Sequence, residues 1–404
     1  MEATRQYIDF YDEVRDVIAA RSCREMNDER EKALQTFASQ GFPSKKAERY
    51  RYADVEADFA PNYGIQLAQL GGTLPPHCFR IAEAEPRVRT LYNKVADTAD
   101  SIVALNTMLS VDTLVVHVPG TRVEHPIQIS NILKGEQDTM VCRRILIVMD
   151  KLAEADIIIT DRAASQSRFL TNQVIEVVMD EGSHLSLYEV EETHLLCTRY
   201  SSVFVRHGAN CSLHHSSLTL FNGHTRNRID VQLQGQGSEV TLGGCIIADK
   251  MQHVDNNTLI EHLVPNCLSR ELYKYVLDDS AVGAFAGKVL VHEGAQKTSS
   301  QETNANLLAT RTARMYTQPM LEIYADDVKC SHGSTVGQMD EAALFYMRQR
   351  GIDEREARLL LKAAFITEVI ENIPLESLRD RLHVLIDKRL RGELSKCEGC
   401  KLCK

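Results

Sequence analysis

Tryptophan is absent from the 404 residues, and aromatic side chains make up only 6%. Sugar-cleaving enzymes line their subsites with exposed rings, so this composition argues against that class. No apolar run approaches the roughly 20 residues of a membrane helix; the longest, Ile145 to Met149, is strand-sized. The opening stretch MEATRQYIDFYDEV is acidic and amphipathic, unlike a secretory leader. Phosphate-binding loops, a G-x-S-x-G elbow and H-E-x-x-H are all missing, against an ATPase, hydrolase or metalloprotease.

Positive charge is also in short supply. The formal net charge is −10, and pairs such as Arg143-Arg144 are offset by nearby acids, leaving no basic stripe for nucleic acid. The 11 cysteines are odd in number and mostly isolated, which does not make a disulfide framework. Reduced thiols in a cytoplasm fit better. The expectation is a soluble cytoplasmic chain of two or three domains, without nucleic-acid or membrane partners.

What is present falls into four regions. Residues 1–100 form an N-terminal helical region, opened by Tyr7, Phe10, Tyr11, Val14, Val17 and Ile18 at spacings of three and four. Residues 101–336 form a β core, because from Thr113 short alternating runs such as TLVVHV, PIQISNIL and DIIITD take over. Residues 337–394 return to helices. There Asp340 and Asp353 stand at helix starts, the latter paired with Glu356 in a variant capping box. Residues 395–404 are a Cys-rich tail.

A repeat runs through the β core. GSHLSL at 182–187, GANCSL at 208–213 and GSEVTL at 237–242 share one pattern, with glycines 26 and 29 residues apart. Periods of that size signal a solenoid, in which each coil covers its neighbour's apolar face. The repeat glycines suit corners with positive φ. Cys211 stands where the other copies have Leu185 and Val240, so it is expected in the core. Parallel strands in a layered sheet need intervening helices, and none is present. A parallel β-helix flanked by helical ends is the predicted fold.

Several residues can carry chemistry. In DDVKCSHGSTVG, an extended backbone puts Cys330 and His332 on one side, roughly 7 Å apart. Thiolate and imidazole are soft and borderline ligands for iron or zinc, and an activated thiol can also accept sulfur. Two ligands are half a site, so the remainder must come from elsewhere, such as a second subunit. The alternative is a half-buried strand with an inert thiol. Cys397, Cys400 and Cys403 repeat every third residue like metal-binding thiolate runs, or form a flexible tail. Lys297, Asn304 and Asn306 lie in a polar segment read as a turn before the last coils. Leu359, Ala363, Ile366 and Ile370 share one helical stripe.

The segment Pro319 to Ile352, PMLEIYADDVKCSHGSTVGQMDEAALFYMRQRGI, resembles the signature of the SufB/SufD family of iron–sulfur cluster assembly proteins, in its SufD-type Cys-Ser-His-Gly form. GFPSKKAERYRYADV, FAGKVLVHEGAQKT with TNANLL, and EARLLLKAAFITEVIENI are similar to other parts of that family, so the resemblance spans nearly the whole chain. Tyr50 departs from the usual Trp, Ser299, Ser300 and Glu302 depart from an Asp-Ala…Gln run, and the Cys-rich tail is an extension.

The resemblance implies a right-handed parallel β-helix and no enzyme activity. It implies a SufB-like partner at the β-helix end and a SufC-like ATPase on the C-terminal helices, at the stripe through Leu359, Ala363, Ile366 and Ile370. It places Cys330 and His332 at a subunit interface, with a transient iron–sulfur cluster shared with the partner and no nucleotide on this chain. A homodimer is expected when the chain is alone. Competing expectations are a β-helix carbohydrate-active enzyme, or a solenoid binding metal only through its tail.

Overall fold

The alternating runs become strands of two parallel sheets wound around a common interior. The computed structural model describes residues 2–67, 70 and 73–393. One sheet stacks Leu114–Val118, Thr139–Met149, Phe169–Met179, Cys197–His207, His224–Leu233, His253–His262, Val282–Val291 and Arg314–Ile323. The other stacks Ile127–Leu133, Glu154–Ala163, His184–Glu192, Ser212–Phe221, Glu239–Ala248, Leu268–Leu277, Ser299–Leu308 and Lys329–Gln338. The result is a mainly β solenoid of about 8 turns with helical segments at both ends.

The repeat lies inside this solenoid with a slip. Leu185 pairs in register with Leu213 and Val240, and Leu187 with His215 and Leu242. The middle copy is therefore displaced by two residues from the motif alignment. A two-residue shift keeps every side chain on its face, so the Leu185–Leu213–Val240 column stays apolar, while His215 enters the column of Leu187 and Leu242. Cys211 falls just before the strand, buried with Sγ 3.0 Å from the Asp180 carbonyl. Gly182 and Gly237 adopt φ of 71° and 73°. Gly208 does not; a Cβ there would press on the backbone of Met179 and Glu181 in the coil below. Two repeat glycines serve conformation and the third serves close approach.

The N-terminal helices Glu2–Arg21 and Arg24–Gln40 pack with Ser101–Leu109 through Tyr7, Ile18, Phe37, Leu105 and Met108. Arg30 donates to the carbonyls of Thr107, Met108 and Ser110, satisfying the orphan end of the third helix. Tyr50 donates to Asp100 (2.7 Å) while the Arg226 guanidinium lies 4.4 Å from its ring. The ring face and the phenol are both used.

The C-terminal helices Glu354–Glu371 and Glu376–Leu390 lie against the second sheet, and Glu341–Gln349, which precedes them, packs on the first of the two. Asp340 and Asp353 accept backbone N–H bonds at the first two helix starts. Glu356 does not complete a capping box; its carboxylate pairs with Arg391 at 2.8 Å.

Charge also enters the solenoid. Arg199 donates to Asp161 (2.8 Å), Asn227 (2.6 Å) and Glu189, all buried. Glu189 also accepts from Ser201 (2.8 Å) and Gln173 (3.0 Å) and lies 3.2 Å from His215 Nε2. Burial opposes ionisation of Glu189, yet Arg199 and His215 outweigh it and hold its carboxyl down to about 2. Of the adjacent histidines, His215 faces this interior and His214 faces outward.

Candidate functional site

The two ends of the solenoid are built differently. At the starting end, Cys78–Arg80 adds an antiparallel strand beside Leu114–Val118 and covers that sheet's edge. At the far end, Arg314–Ile323 and Lys329–Gln338 are each the last strand of their sheet. Each presents unpaired backbone donors and acceptors, the arrangement that invites another chain. Residues that would be interior in a middle coil are half-open here.

Cys330 and His332 sit on this last coil, in register with Ser300 and Glu302 of the coil beneath. Ser300 and Glu302 are buried interior residues, and register neighbours share a face. Both Cys330 and His332 therefore lie on the interior side of an uncovered layer. Cys330 is half-buried beside Val289, Ala295 and Leu321, whereas His332 is exposed. Burial pushes the Cys330 thiol up, against a backbone hydrogen bond from Ser300. Alone, the residue is held as a thiol, and a bound metal or a neighbouring cation would be needed to draw off the proton.

Directly below lies a feature the sequence reading missed. Glu302 is 1% exposed, and neither carboxylate oxygen has a hydrogen-bond partner. Its ladder neighbour on the inner side is Glu271, which accepts from Thr258 at 2.7 Å. The Glu302 carboxylate reaches across to Gly287 on the opposite sheet, where any Cβ would collide with it. Burial, then mutual repulsion with Glu271, raises the Glu302 carboxyl; burial likewise raises Glu271. The pair carries a proton where two ordinary carboxylates would be ionised. The coil-length spacing of the two glutamates was the available signal.

The other expected site residues fall in different places. Asn304 and Asn306 are not in a turn; both lie inside the strand Ser299–Leu308 and are buried. Asn306 donates to Asn304 (2.6 Å) and to the Thr335 carbonyl (2.9 Å), and Thr317 donates to Asn304 (2.8 Å). They clip the last coil to the one before it, because an amide supplies donors and acceptors in both directions along the stack. Lys297 is an exposed corner residue with φ of 58°. Cys397, Cys400 and Cys403 lie outside the described residues.

The stripe offered for partner docking is corrected by the packing. Ile366 and Ile370 are fully buried against Tyr188, Leu218, Cys245 and Val276, while Leu359 and Ala363 are half-buried. An amphipathic helix buries its apolar stripe on the nearest apolar surface, here its own sheet. The outward faces carry Phe345, Tyr346, Leu360 and Val384 instead.

Among the described residues no group of three or more His, Cys, Asp or Glu side chains is placed to hold a metal ion, and no helix is long and apolar enough to cross a membrane. The chain thus falls in the class of parallel β-solenoids with helical ends and, at the far end, a last coil whose edge is open in both sheets. The model of the SUF system FeS cluster assembly SufBD core domain matches residues 131–365, and that of the SufBD N-terminal region matches 1–82 and 77–129. The chain belongs to the SufBD family of iron–sulfur cluster assembly proteins and is SufD-like.

It is 26% identical to the iron–sulfur cluster assembly protein SufD of Escherichia coli, over 89% of this chain and 92% of that protein. It is 31% identical to a SufBD-family assembly protein of Synechocystis, over 70% of this chain and 65% of that one. It is also 30% identical to a SufBD-family protein of Mycobacterium tuberculosis, over 69% and 71% of the two chains.

Proposed function

We propose that this chain is a non-catalytic subunit of a SufBCD-type scaffold working in the cytoplasm. Its uncovered last coil pairs with a SufB-like subunit, and the seam between them holds the nascent iron–sulfur cluster as cargo. Cys330 and His332 contribute one thiolate and one imidazole, and the partner completes the shell. Without that partner, the same unpaired edges pair with a second copy of the chain. The C-terminal helices dock a SufC-like ATPase through their outward face, since the inward face is occupied by the sheet.

The observation that carries this reading is the combination of open strand edges with a thiol and an imidazole on the same terminal layer. A solenoid is stiff because each coil is bonded to the next. Rotation applied at the docked helices would therefore be transmitted to the seam and open it to iron and sulfide.

Co-expression with SufB-like and SufC-like subunits tests the proposal. A three-subunit complex with bound iron and sulfide is expected, with both depleted by Cys330→Ala or His332→Ala while the subunits still co-purify. Undiminished iron and sulfide in both variants would overturn the assignment of the seam.

A further inference from the structure

A second metal-ligand arrangement lies two and three coils in from the open end, on the outer face of the first sheet. His224 and His253 occupy the same register position on neighbouring coils, and their ring centroids are 4.5 Å apart. His224 Nδ1 is 2.8 Å from an Asp58 carboxylate oxygen. The other Asp58 oxygen accepts from the Tyr200 hydroxyl at 2.6 Å. An ionised carboxylate can only accept, so His224 Nδ1 carries a proton, and in the neutral ring its Nε2 keeps a lone pair.

Nε2 of both His224 and His253 is buried without a hydrogen-bond partner. A buried, unpaired polar atom costs free energy unless something occupies it. Two such atoms on adjacent rings make a coincidence with a chemical meaning. Imidazole with one nitrogen bonded to a carboxylate and the other free is the form in which histidine binds metal.

The surroundings tolerate a cation. Lys45 is paired with Asp54 at 2.8 Å, and Arg226 is paired with Asp255, so these two cations each have a carboxylate of their own. Lys250 stands on the rim with its ammonium 5.7 Å from the Phe221 ring. A cavity of about 740 Å³ lined by Asp58, Thr198, His224, Lys250 and His253 gives access. Two protein nitrogens leave the remaining positions to water, so the site is open and exchangeable rather than a closed four-ligand structural centre.

We infer that His224 and His253, with Asp58 orienting the first ring, form a binding site for a divalent first-row transition ion of the imidazole-preferring kind. The juxtaposition joins the N-terminal segment, through Asp58, to two coils of the solenoid. The ion would therefore also fasten that segment to the sheet. The site is independent of the terminal coil and of the function proposed for it.

The test is a Zn²⁺ titration of the reduced full-length chain by calorimetry, with thermal unfolding measured in parallel. Wild type is expected to bind one equivalent more than His253→Gln and His224→Gln, and Cys330→Ser is expected to retain that equivalent. Asp58→Asn should weaken it about ten-fold or more, the usual effect of removing a carboxylate behind a ligating histidine. Zn²⁺ should raise the unfolding temperature of wild type by more than that of His253→Gln. Because wild type itself must show the extra equivalent, a variant that misfolds does not hide a failure. If wild type and a folded His253→Gln bind the same number of ions with the same affinity, the inference is wrong.

Discussion

Replacing Glu302 with Gln tests the buried carboxylate pair, because Gln keeps the shape and removes the titration. In the folded chain the Glu302 carboxyl is raised by burial and by Glu271 beside it. In the unfolded chain it ionises in the ordinary carboxylate range. Between those two values the folded state holds a proton that the unfolded state has lost, so stability falls as pH rises. Each pH unit in that window costs about 1.4 kcal/mol. From pH 5.5 to pH 8 the loss from this group is about 3 kcal/mol.

Glu302→Gln should therefore match wild type near pH 5 and exceed its stability by about 3 kcal/mol at pH 8. Urea unfolding of the isolated chain at half-unit pH steps gives the difference curve. A pH-independent difference between the two proteins would show that Glu302 is ionised when folded, and the reasoning would fail.

Three other perturbations follow from the same packing. Arg199→Met leaves Asp161 and Glu189 buried without their shared cation, which should cost about 3–5 kcal/mol and lower the unfolding temperature. Site-resolved alkylation of Cys330 in the isolated chain should be slow at neutral pH and rise roughly ten-fold per pH unit to above pH 9, because burial favours the thiol; a plateau by pH 8 would contradict this. Ile370→Ala should destabilise the chain by about 2–5 kcal/mol, whereas Phe345→Asp, on the exposed face, should change stability by less than about 0.5 kcal/mol yet weaken capture of a SufC-like subunit in a pull-down.

The sequence carried much of this architecture in local form. Period-two alternation after Thr113, a recurring glycine motif and the lack of helices between strands are enough to imply a solenoid. The two-residue slip of the middle copy was not legible, since motif matching aligns glycines whereas the ladder aligns hydrogen bonds. The same limit misplaced Asn304 and Asn306: their polarity reads as a turn, and only the neighbouring coils show that each amide has partners within a strand. Ile366 and Ile370 read as a docking stripe because a lone amphipathic helix does not say what covers it.

By itself, the chain order determined the solenoid, its helical ends and the adjacency of Cys330 and His332, because strand alternation and two-residue spacing are local properties. Only the tertiary structure decided which side chains become neighbours across coils: Glu302 over Glu271, His224 beside His253, and Asp58 reaching both Tyr200 and His224. It also decided which coil is last. Burial, pKa and open edges all depend on what lies one coil away, about thirty residues distant in sequence, and no local pattern encodes that.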